Sequence, residues 1–158
     1  MTSPTPQSAL RPLSIERVTE VFEREGWKFD LDAADGNVVR TGFGGFGLEI
    51  RFLEPTISVV TTVAVDSITA ERFDDVLSWV ETYNYSKAFP TVTALKDDAR
   101  GVTALGAVYS LPGYWDYTDS QFTSHLHTGI EGVVQASRDF LQTFAPEVLT
   151  QLDAQRPS

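Results

Sequence analysis

From Leu13 onward the apolar positions change period several times, and each change marks an element. Ile15, Val18, Val21 and Phe22 recur at helical spacing and share one face. Ser14 is placed to cap that helix, Leu13 to staple onto Val18, and Gly26 to end it. Over 27–32 apolar and polar residues alternate strictly, which predicts a strand. Asp35-Gly36 is a hairpin signal. Further strands are expected over 37–43, through Leu48, Ile50 and Phe52, and after the Glu54-Pro55 break with Ile57, Val59, Val63 and Val65 on one face.

A second helix is expected over 69–84, its core face made by Phe73, Val76, Leu77, Val80 and Asn84. Asn84 stands at the helix end, placed either to take a left-handed cap or to bond neighbouring backbone. Two strands follow, over 91–96 and 102–111, and then an aromatic excursion over 112–117. Thr118 and Gln121 are spaced as a capping box for a long last helix. Its stripe is Phe122, Leu126, Ile130, Val133, Phe140 and Phe144, and Pro146 marks its end. The order α-β-β-β-β-α-β-β-α predicts an α+β fold, with helices packed on an antiparallel sheet. Residues 1–12, rich in Ser, Thr and Pro, are expected to be a flexible lead-in. A single domain is expected over 13–149 and a polar tail over 150–158.

Composition narrows the chemistry. A chain of 158 residues, 42% hydrophobic, suffices for one core. Twelve basic residues against twenty-two acidic ones give −10, with no Lys/Arg run, so nucleic acid and anionic membrane are unsuited partners. The absence of cysteine removes thiolate nucleophiles and sulfur-held metals. No window reaches the roughly 20 apolar residues of a membrane span and the start has no signal-type apolar run, so a cytoplasmic protein is expected.

Gly42, Gly44 and Gly47 match the letters of a phosphate-binding loop, but an alternating strand follows them where a dinucleotide site needs a helix. A kinase loop would need a lysine in the next strand, and 56–65 has none. The expectation is a turn at Gly44-Gly45, with Gly42 and Gly47 leaving room for neighbouring Phe rings. Asp30, Asp32 and Asp35-Gly36 resemble a calcium loop only in part, because Ala34 and Thr41 stand where ligands belong. His125 and His127 are about 200° apart on a helix and cannot chelate one metal. Beside His125, Gly129, Gly132 and Ala136 form a ridge of small residues that would let another element approach closely. No hydrolase motif is present, and neither a catalytic residue nor a cofactor is expected.

The aromatics are the remaining candidates. Trp79 and Tyr83 fall at one flank of the second helix, off its core stripe, and Trp115 lies in the excursion with Tyr114 and Tyr117. Small domains use such rings as core or core-edge residues; the functional rival is a contact surface, for which Trp79, Tyr83 and Trp115 are the candidate anchors for a protein or peptide.

The stretches RVTEVFEREGWKFDLDAADGN, LSWVETYNYSKAFPTVTAL, YTDSQFTSHLHTGI and DFLQTFAPEV resemble the YbjN-type family of bacterial proteins, described as sensory transduction regulators. The family commonly has Trp-Asn at the end of its second helix, where Tyr83-Asn84 stands here. The resemblance implies a fold similar to the type III secretion chaperones: α+β, often a homodimer, binding protein segments, without established catalytic residues. The expected function is therefore a non-enzymatic, chaperone-like regulatory domain that binds another protein. The alternative is a small-ligand sensory module acting through conformational change.

Overall fold

A computed structural model describes residues 9–155. Its elements run α1 (Ile15–Glu25), β1 (Asp30–Leu31), β2 (Val38–Phe43), β3 (Phe46–Leu53), β4 (Thr56–Val63), α2 (Phe73–Ser86), β5 (Thr91–Asp97), β6 (Val102–Leu111), α3 (Asp119–Phe144) and α4 (Pro146–Ala154). A short 3-10 turn, Ala70–Arg72, leads into α2. The strands form one antiparallel sheet in the order β1-β2-β3-β4-β6-β5. The fold is α+β, as expected.

Local chemistry explains most boundaries. The Ser14 side chain accepts from the Arg17 backbone N–H, and Gly26 closes α1 at φ 73°, which a side chain would resist. Gly44 and Gly45, at φ 62° and 90°, make the β2–β3 hairpin turn. Gly42 and Gly47 are not there for Phe rings. A Cβ at Gly42 would meet only the Phe46 carbonyl oxygen, at 3.4 Å, and one at Gly47 would meet open space. The box predicted at Thr118 and Gln121 forms in both directions.

Inward positions of the strands alternate strictly. Val39, Leu48, Ile50, Ile57, Val59, Leu105, Ala107 and Leu111 join one core with Val18, Phe22, Phe122, Leu126 and Phe140 of the helices. Each fully buried Leu, Ile or Phe contributes about 1.5–3 kcal/mol. Outward positions such as Val60 and Val108 lie outside that core. All helices therefore cover one face, and the opposite face of the sheet carries none among the described residues.

Three further expectations need correction. The strand expected over 27–32 is only two residues long. Trp27 and Phe29 turn inward to pack edge-on against Phe22, and the Thr41 hydroxyl, rather than a backbone group, meets the Lys28 carbonyl at 2.8 Å. Secondly, the lead-in is anchored at its end. Arg11 pairs with Tyr117 through backbone bonds of 3.0 and 2.9 Å, while residues 1–8 lie outside the described part. Finally, the expected order lacks a fourth helix: α4 begins at Pro146 and runs through residues 150–154, where a polar tail is expected from the sequence. Leu152 packs on the core, and Asp153 accepts two bonds from Arg138, at 2.9 and 3.0 Å. Residues 156–158 lie outside the described part.

Candidate functional site

The excursion over 112–117 joins β6 to α3 and is fixed at both ends. At its start, Gly113 lies against the next loop, where a Cβ would sit 1.6 Å from the Pro55 carbonyl oxygen. Only glycine permits that approach. At its end, Tyr117 is buried and donates its hydroxyl to the Pro112 carbonyl at 2.7 Å, closing the loop on itself. Burial pushes the Tyr117 phenol above its ordinary pKa, with Trp115 acting the other way.

Between these anchors Tyr114 is 82% exposed and Trp115 58% exposed. Leu53, two residues before Pro55, is 65% exposed. The loop and the adjoining end of β3 thus present apolar side chains outward from a backbone that is held in place.

The far side of the loop rests on a charge cluster. Asp119 accepts from Arg11 at 2.7 Å and from Arg17 at 3.0 Å. Arg17 is 3% exposed, donates also to the Arg11 carbonyl at 2.7 Å, and lies over the Phe122 ring. The Arg11 hydrogen bond, assisted by Arg17, holds the Asp119 carboxyl below the usual carboxylate range. Burial pulls the Arg17 guanidinium below its ordinary value, the Arg11 charge adds to this, and Asp119 opposes both.

Trp79 and Tyr83 do not join this surface. They stack on each other at 4.9 Å, and Trp79 packs against Phe140 and Phe144 of α3. The buried residues of α2 are Val76, Val80 and Tyr83, while Leu77 is 37% exposed. The core stripe is therefore rotated toward α3 from the face predicted: Tyr83 belongs to the core, and Trp79, half-buried, packs against it.

The histidines also lie apart. Nδ1 of His125 is 2.9 Å from the Tyr109 hydroxyl, and His127 lies against Trp27 with Glu25 at 3.5 Å. The ridge beside His125 is occupied from within the chain. A Cβ at Gly129 would strike the Tyr109 ring, one at Gly132 would touch Phe89 and Pro90, and Ala136 is fully buried. Its smallness serves the packing of α3 on its own sheet. Asp32 accepts from the Ala34 and Asp35 N–H groups and from Arg40, which makes it a turn former. No cluster of three or more His, Asp or Glu that could hold a metal occurs among the described residues. No helix among them is long and apolar enough to cross a membrane.

Sequence reasoning placed Trp115 on the loop and read Pro55 only as a break between strands, and it did not single out Leu53 or Gly113. The close approach of the two loops involves residues nearly sixty positions apart, and no local pattern carries it.

A sequence model of the YbjN family, described as "Putative bacterial sensory transduction regulator", matches residues 14–142. The chain belongs to the YbjN family. A solved structure described as "Crystal structure of YbjN, a putative transcription regulator from E. coli" is similar, with a TM-score of 0.63 and 15% identity. The likeness covers 79% of this chain and 89% of that one, and at this identity it shows the fold alone. No curated protein sequence matches the chain. This YbjN member thus has the sheet and helix layer of that neighbour.

Proposed function

We propose that this YbjN-family chain is a non-enzymatic regulatory domain that binds a segment of another protein, with Trp115 as an anchor. One observation supports this best: Tyr114 and Trp115 are exposed on a loop fixed at Gly113 and Tyr117. Rings presented by a fixed backbone lose little freedom on binding, which is why Trp and Tyr recur as interface anchors. The description of the family as a regulator agrees with this role. The net charge of −10 favours a basic partner.

The experiment is quantitative capture from native cells, comparing the unaltered protein with Trp115→Ala. A partner retained in near-stoichiometric amount by the first and lost by the second supports the reading. A partner retained equally by both would remove Trp115 from it, and recovery of the bait alone would count against protein binding.

A second reading, a small-ligand sensor, is favoured by a groove of about 840 Å³ between the end of α2 and α3, lined by Tyr83, Phe89, Pro90, Gly132 and Gln135 among others. A thermal shift produced by one metabolite class and by no other would favour it.

A further inference from the structure

β5 is an edge strand, and its register with β6 sets Thr93 opposite Gly106 and Val92 opposite Ala107. In an antiparallel ladder such pairs alternate between bonded and non-bonded. The Val92 N–H and C=O point away from β6, and the side chain of Asn84 takes both. Its Oδ1 accepts from the Val92 N–H at 2.9 Å, and its Nδ2 donates to the Val92 carbonyl at 2.8 Å. That is the pair of bonds that a residue of a neighbouring antiparallel strand would make. By the same alternation the N–H and C=O groups of Ala94 and Lys96 point away from β6, to the outer edge that α2 flanks. No group among the described residues bonds them.

We propose that Asn84 is an edge guard, and that the occupant it excludes is β5 of a second copy of this chain. This inference goes beyond the protein-binding reading and uses a different surface. The strand is self-complementary about Ala94. A two-fold axis there sets Ala94 against Ala94 of the second copy and Val92 against its Lys96, on both sides of the axis. Leu95 then faces Thr93 and Asp97 faces Thr91, so no like charges stand directly opposite. Because the symmetry places each Val92 opposite a Lys96, blocking Val92 removes both flanking pairs and leaves only the central one. A single strand pairing buries far less than the roughly 1,200 Å² of a standard interface. Its strength therefore depends on the number of backbone bonds, and Asn84 controls that number.

The test is Asn84→Ala, followed by sedimentation over a range of concentrations beside the unaltered protein. Self-association is expected to tighten by at least about tenfold, since several backbone bonds become available. Adding Ala94→Pro to that variant is expected to reverse the gain, because this proline removes an outward N–H that the ladder with β6 does not use. Backbone hydrogen exchange on the unaltered protein gives an independent reading that needs no variant to fold. The Val92 amide is expected to be protected, while those of Ala94 and Lys96 exchange fast. Unchanged association in Asn84→Ala would overturn the proposal. So would association that survives Ala94→Pro, or equal protection of all three amides in the unaltered protein.

Discussion

Two aromatic pairs in this chain have the same chemistry and opposite surroundings. Trp79 and Tyr83 stack on one flank of α2 and are covered by α3, leaving Tyr83 8% exposed. Tyr114 and Trp115 stand outward on the loop between β6 and α3. The first pair is held by packing on a helix. The second is held by backbone: Gly113 against Pro55, and Tyr117 against Pro112 and Arg11. An exposed ring becomes a candidate contact when its support does not depend on burying the ring itself.

The largest effect should come from emptying the buried pair. Tyr83→Ala removes a core ring, so a loss of about 3–5 kcal/mol is expected in denaturant unfolding. A loss below about 1 kcal/mol would show that the ring is not part of the core. Next, Gly113→Ala forces a methyl into the Pro55 carbonyl. Its expected cost is about 1–3 kcal/mol, together with weaker partner capture, because the loops must separate. Unchanged melting would mean that the loops are not pressed together in solution.

The charge cluster behind the loop predicts a pH dependence. The native Asp119 carboxyl titrates below its unfolded value of about 3.9. Its contribution to stability is therefore complete above that value and lost as pH falls through the depressed native one. Asp119→Asn should lower stability at neutral pH and flatten the fall in stability below about pH 4. An unaltered acid profile would sever the cluster from the stability of the loop. Trp115→Ala should have the smallest stability effect, within about 0.5 kcal/mol, while reducing partner capture. A large stability loss there would erase the difference between the two pairs.

Local pattern sufficed wherever a few neighbouring residues decide the outcome. Ser14, Gly26, Gly44-Gly45 and the Thr118–Gln121 box each act within about four positions, and the alternation along β3 and β4 sets which side chains face inward. These are short-range steric and hydrogen-bonding preferences, so the α+β class and the order of elements as far as α3 were legible from residues alone, whereas α4 was not.

What is decided only by the fold depends on partners far along the chain. The α2 stripe turned toward Tyr83 because α3 lies on that side, and the small residues of α3 are matched to Tyr109, Phe89 and Pro90. The strand expected from Trp27 shortened because its rings found Phe22. α4 extended past Thr150 because Leu152 found the core. Asn84 could cap its helix or bond a backbone by sequence alone, and the position of β5 selected the second. Packing density is a property of the assembled layers. The sequence determined which residues turn, cap and alternate, and the tertiary structure decided which rings are left exposed.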